Sequence, residues 1–247
     1  MKFKDVKVGE IIQFGQYRYR IGIQQVFEDR EPNPLLWFKA DRDGTLVSVY
    51  VIENLPYYGD TETIGHHSRF EVLAQFLNSD DPYDDISARC TAYSARTAFR
   101  NVRGFLSDFE TWEKDIIRGD VSIPSTSNIK GDDRMPLFKK MGIRPRGMWH
   151  SYGYQSAWLA DPSPRHGQHT ILQANGTIAD YWGTTYSQGV RPVISIDPNL
   201  EVNAITPIHT KYFTAPVAAY TLCIPEVSTP NLYTTKDLCE LFGLANY

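Results

Sequence analysis

Cysteine is scarce in this chain, with Cys90, Cys223 and Cys239 its three. Three scattered thiols build neither a disulfide framework nor a zinc site, both of which need close sets of ligands, and they read as buried or free thiols. Basic charge is not in excess either. The 25 Lys and Arg are interspersed among 29 Asp and Glu, for a formal net charge of -4. No basic stripe of the kind that phosphate-backbone binding requires can be drawn, which argues against nucleic acid as a partner. Long apolar runs are missing: none approaches the roughly 20 residues of a membrane span. The polar start MKFKDVKVGE also lacks the apolar core of a secretory signal. The expectation is a soluble product made in the cytoplasm, without membrane insertion.

What is present is enough apolar material for a sizeable core, 42% of 247 residues, in one large domain or a domain with an appendage. The first 58 residues alternate like a β-meander, with IIQFGQYRYRIGIQQVF, LLWFKA and TLVSVYVI as strands and the Asp43-Gly44 pair as a hairpin turn. Ser68 and Glu71 have capping-box spacing before a short helix whose Phe70, Leu73 and Leu77 share a face. A second box, Ser107 with Glu110, predicts another short helix with Phe109, Trp112 and Ile116 inward and Gly119 as its stop. From 120 to 150 turn residues dominate, with a short helical pattern at MPLFKKMG. Strand patterns return at SAWLA, at HTILQ before the Asn175-Gly176 turn, and at VRPVISI, where Arg191 and Pro192 interrupt an otherwise β-rich run closed by Asp197-Pro198-Asn199. Beyond Val202 the prolines Pro207, Pro216, Pro225 and Pro230 argue against long regular elements until a helical pattern at Thr235 to Phe242. A boundary near 204 therefore divides a folded domain, 1–204, from an extended tail with a short terminal helix, 205–247.

The order of these pieces carries a resemblance. A DGTL hairpin is followed by IGHHSRFEVLAQFLNSD, GFLSDFETWEKDII, MPLF, AWLADP, ILQANGTI and GVRPVISI. Over roughly residues 8 to 202 the chain resembles a family of uncharacterised domains found in phages and prophages of Gram-positive bacteria. That family is similar to the C-type-lectin-like fold of formylglycine-generating enzymes and of the variable proteins diversified by phage retroelements. The resemblance implies an α+β domain with a twisted antiparallel sheet, two short helices and long loops. It also implies a last strand, 190–196, that pairs with the first ones. Arg191 would then tie down loop carbonyls or a carboxylate, and Pro192 would lie near the strand's start or at an edge. The chain departs from the family pattern at Ala160, where an arginine is usual, and in the tail.

A ligand surface is the first functional candidate. With the strands at 157–160, 169–173 and 190–196 as neighbours, the loops DPSPRHGQH (161–169) and ADYWGTTYSQ (179–188) would project from one end of a sheet. Arg165, His166, Tyr181, Trp182 and Tyr186 would then meet there, in the aromatic and small polar composition that binding loops favour. Trp158, inside a β-run, reads as core, whereas Trp149, Tyr152 and Tyr154 could line the surface or support it. NSDDPYDD clusters aspartates but lacks the order of a calcium loop and fits helix-exit chemistry. Glu31-Pro32-Asn33 spells a lectin calcium triplet without its partner strand and reads as coincidence. His66 and His67 lack a third ligand. There is no nucleophile motif, and Cys223 and Cys239 do not match the cysteine pair of formylglycine-generating enzymes. No cofactor or metal is expected.

These readings predict a non-catalytic phage virion protein that binds a host-cell receptor, a surface protein or glycan, at the tail or fibre, or that decorates the capsid. The tail, 205–247, would contact other virion subunits, and homo-oligomers remain open. The alternatives are an enzyme on a formylglycine-generating-enzyme-like scaffold and a purely structural virion subunit.

Overall fold

A computed structural model describes residues 1–18, 32–58, 72–82, 85–127, 156–163, 168–173, 177–181, 187–208 and 217–223. The described chain is α+β, mostly sheet with short helices, and none of its helices is long and apolar enough to cross a membrane.

The N-terminal strands form as their alternation predicts. β1 (Ile11–Tyr17) pairs antiparallel with β2 (Asn33–Lys39), and β2 with β3 (Thr45–Ser48). The β2–β3 turn is made by Asp41, whose Oδ1 accepts the amides of Asp43 (2.9 Å) and Thr45 (3.0 Å). Gly44 completes it at φ 107°, where a Cβ would run into the Ile196 carbonyl oxygen. β1 carries a bulge between Gln13 and Gln16, and there Gly15, at φ 68°, lets the Phe109 ring lie against the backbone.

The GVRPVISI run is two strands, not one. β8 (Gln188–Val190) pairs with β4 (Glu53–Leu55), whereas β9 (Val193–Ser195) pairs with β3. These belong to different sheets: a six-stranded sheet ordered β10-β11-β1-β2-β3-β9 and a five-stranded sheet ordered β4-β8-β5-β6-β7. β5 is Ala157–Pro162, β6 His169–Leu172, β7 Ile178–Tyr181, β10 Val202–Ile208 and β11 Val217–Leu222. The stretches 45–55 and 188–196 therefore pass from one sheet to the other together. They stay joined at the crossing by Ile52 N–H to Val190 O and Ser48 N–H to Pro192 O, both 2.9 Å. Pro192 sits where no ladder needs its N–H, and Arg191 is buried beside it. The expected closure of this run onto the first strands is thus made through β3 rather than β1.

The helices are more numerous and shorter than the two expected. α1 (Val72–Asn78) buries the expected Leu73 and Leu77 together with Val72 and Phe76, while Phe70 and the predicted cap at 68–71 lie outside the described residues. α2 (Ile86–Arg89) and α3 (Tyr93–Phe99) follow. The box expected at Ser107 is displaced by three residues: Phe105–Asp108 is a 3-10 turn, and α4 (Thr111–Asp115) starts after Glu110. The reason is Glu113, whose carboxylate accepts the amides of both Glu110 (2.9 Å) and Gly15 (3.0 Å), anchoring the helix start to the β1 bulge.

The boundary placed at 204 falls inside β10, and the segment behind it is not an extended tail throughout. β11 lies parallel to β1, pairing Ile11 with Ala219, and β10 forms the sheet's edge. Pro207 is tolerated on that edge strand because it faces no further ladder there and sits at a register shift between Ile205 and Ile208. The helical pattern at 235–242 lies outside the described residues.

The main core fills the space between the sheets and the helices. Among the described residues its two fully buried indoles each donate to a backbone carbonyl, Trp37 Nε1 to Phe14 O (2.6 Å) and Trp158 Nε1 to Leu55 O (2.7 Å), so that neither leaves a polar atom stranded. A buried lysine, Lys39, closes the N-terminal side. Its Nζ donates to Phe3 O (2.6 Å) and Val6 O (2.7 Å), and desolvation lowers its pKa.

Candidate functional site

The sequence placed its candidate ligand surface in the loops after 161 and after 179, and strand register fixes where those loops start. In the five-stranded sheet β6 pairs antiparallel with both β5 and β7, so that Pro162, His169 and Tyr181 stand in one row at one end. The chain leaves β5 and β7 at that row and enters β6 from it. Ser163 Oγ donates to Asp180 Oδ1 at 2.8 Å and ties the exit of β5 to β7. On the other flank Asp161 accepts the Thr126 amide, and Ala160 N–H bonds Pro124 O at 2.9 Å. The far end of the β6–β7 hairpin closes through Gln173 N–H to Thr177 O, 2.7 Å, and the predicted Asn175-Gly176 turn lies outside the described residues.

Of the five candidate residues, Tyr181 is described. It is half-buried, and its ring meets Trp158 edge-on with centroids 5.8 Å apart. Arg165, His166, Trp182 and Tyr186 lie outside the described residues, as do His66, His67, Trp149, Tyr152 and Tyr154. Trp158 is core, as its place in a β-run predicts.

The row contains a residue that the sequence reading passed over. His169 is 4% exposed, and its ring packs against Tyr57 (centroids 3.7 Å), Trp158 (5.8 Å) and Tyr58 (6.3 Å). Burial among these rings drives its pKa from 6.5 down to about 4, against the opposing pull of a hydrogen bond to the Leu159 backbone and of the Asp161 charge. At neutral pH the ring is uncharged, and such a weak base is poorly matched to proton abstraction. Among the described residues neither its Nε2 nor the side-chain amide of the adjacent, buried Gln168 has a hydrogen-bond partner. His169 opens the HTILQ strand, and the signal that could have found it is its register opposite Tyr181.

The acidic turn at 78–85 serves the fold where it is described. Asn78 caps Val121, accepting its amide at 2.8 Å, Asp80 pairs with Lys114 at 3.2 Å, and Asp85 accepts Ser87 Oγ at 2.5 Å. Among the described residues no three His, Cys, Asp or Glu side chains group as metal ligands. Cys90 is buried and Cys223 half-buried, both free thiols.

No family model matches this chain, and no curated protein or solved structure matches it significantly.

Proposed function

We propose that this chain is a non-catalytic binding protein with a C-type-lectin-like fold, a component of a phage virion. In this reading the loops at the Pro162–His169–Tyr181 end recognise a protein or glycan on the host cell. The observation that carries the binding reading is the register row itself, because it starts the loops after β5 and β7, the second of them rich in Tyr, Trp, Ser, Thr and Gly, from one end of one sheet. Rings presented from a braced strand end give large contact area at low conformational cost. The virion context rests on the resemblance of the ordered motifs to prophage domains. The neutral His169 ring supports a binding role over an acid–base one.

The test is attachment of the fluorescently labelled protein to Gram-positive host cells, followed by cytometry. Tyr181 braces Trp158, so Tyr181→Ala would mix binding with stability. The informative variants are Trp182→Ala and Tyr186→Ala, with Tyr181→Phe as a control. Truncating an interface anchor costs about 2 kcal/mol or more, roughly a thirtyfold loss of affinity, while the melt stays in place. Attachment that survives both substitutions would refute the site.

A further inference from the structure

Where the chain enters β6, two consecutive polar side chains are buried with polar atoms left unpaired. His169 is 4% exposed and Gln168 7%, so both end just beneath the surface. Of the imidazole nitrogens Nε2 lacks a partner among the described residues, and the bond to the Leu159 carbonyl is therefore made by Nδ1–H. That bond fixes the tautomer of the neutral ring and leaves Nε2 as a bare lone pair, an acceptor only. Both polar atoms of the Gln168 amide, Oε1 and Nε2, are unpartnered as well. A buried polar atom without a partner carries its full desolvation cost, and native structures hold few of them. The surroundings are aromatic. His169 lies against Tyr57, Trp158 and Tyr58, and the half-buried Tyr58 and Tyr181 carry this ring cluster to the surface. A few convergent polar atoms among aromatic rings are the composition of a ligand site.

We propose that Gln168 and His169 form the polar floor of a subsite for a neutral, hydroxyl-bearing ligand, a sugar or polyol. The assignment rests on the reading of this strand end as a binding surface, and it names the chemistry that the surface takes. A hydroxyl meets both needs from one atom: its O–H donates to His169 Nε2 while its oxygen accepts from the Gln168 amide. Charge points the same way. An anion would meet the Asp161 and Asp180 carboxylates beside the row, whereas those carboxylates are already engaged by the Thr126 amide and the Ser163 hydroxyl and give a buried cation no free counter-charge. Reaching Nε2 takes a side-chain rotamer change of the kind that binding commonly brings.

The test is a titration of the full-length protein, nitrogen-15-labelled in histidine, at neutral pH with glucose, galactose, mannose, N-acetylglucosamine and glycerol. The His169 ring signals are assigned by their loss in His169→Phe. They should show a protonated Nδ1 and an unprotonated Nε2, and at least one of these compounds should move the Nε2 signal upfield, as a hydrogen bond to its lone pair does, and saturably. Gln168→Leu should weaken that binding about tenfold while leaving the Nδ1 signal in place. An Nε2 signal that none of the compounds moves would overturn the proposal, and if it stands at a hydrogen-bonded position from the outset, an internal water is the partner instead. Binding indifferent to Gln168→Leu would overturn it too. Cell attachment measured on the same protein separates the two failures. Attachment without any Nε2 shift sinks the subsite and leaves the binding surface standing, whereas a sugar titration without attachment sinks the host-cell reading and leaves the subsite.

Discussion

Acidification should destabilise this protein through His169, by an amount that the structure sets. In the unfolded chain the ring takes up a proton below its ordinary pKa of 6.5, whereas the folded ring stays neutral until about pH 4. The folded-state pKa is depressed, so the unfolded state binds the extra proton in this window, and stability falls as pH falls. The contribution is complete above pH 6.5, erodes between 6.5 and about 4, and levels off below. At about 1.4 kcal/mol per pH unit, the loss approaches roughly 3 kcal/mol at its limit, most of it reached by pH 4.5. Because the ring is almost wholly buried, solvent does not screen the effect away. Carboxylates titrate in the same range, so the assay is a difference. Denaturant unfolding is followed from pH 7.5 to 4.5 for the native protein and for His169→Phe, which keeps an aromatic ring and removes the proton. The variant loses the Leu159 hydrogen bond at every pH, but the stability gap between the two proteins should shrink by roughly 2 to 3 kcal/mol on acidification. A gap independent of pH would refute the buried, neutral ring.

Other consequences can be checked with the same unfolding assay. Gly44→Ala should cost about 2 kcal/mol or more, since φ 107° and the approach of the Ile196 carbonyl leave no room for a methyl group. Trp158→Phe should cost about 2 kcal/mol or more by stranding the buried Leu55 carbonyl and opening a cavity beside Tyr57. Wild-type stability there would contradict the placement of the indole. Lys39→Met should lose about 2 kcal/mol by removing the donor to the Val6 carbonyl and leaving the Phe3 carbonyl with the Val6 amide alone. Thermal melts with and without excess chelator should coincide, and a fall of several degrees would revive the acidic turn at 78–85 as a calcium site.

The sequence disclosed local structure better than long-range pairing. The Asp41–Gly44 hairpin was legible because Asx chemistry and a positive-φ glycine act within five residues. Leu73 and Leu77 of α1 were legible from their spacing, whereas Val72 and Phe76 on the same buried side were not singled out. The division of 190–196 between two sheets was not, because composition says that Val190, Val193 and Ile194 favour strands and says nothing of which strand each joins. The same limit hid β11, whose partner β1 lies some two hundred residues away, and prolines that an edge strand tolerates disguised β10. Glu110 was read as closing a cap when it opens one, because the deciding contact, from Glu113 to Gly15, is tertiary. At the candidate site the pairing of β5 with β6 was anticipated from pattern, but β7 was not, because ADYW was assigned to a loop. His169 was missed because its character comes from Tyr57 and Tyr58, which sequence alone does not bring near it.

The central claim is that the Pro162–His169–Tyr181 end presents a binding surface on a virion. It is tested most directly by electron microscopy of native particles decorated with an antibody fragment raised against residues 161–188. The account predicts fragments at the tail tip, fibres or capsid exterior, with that end of the five-stranded sheet directed outward. Particles that lack the protein, or that carry it with this end closed against neighbouring subunits, would contradict it.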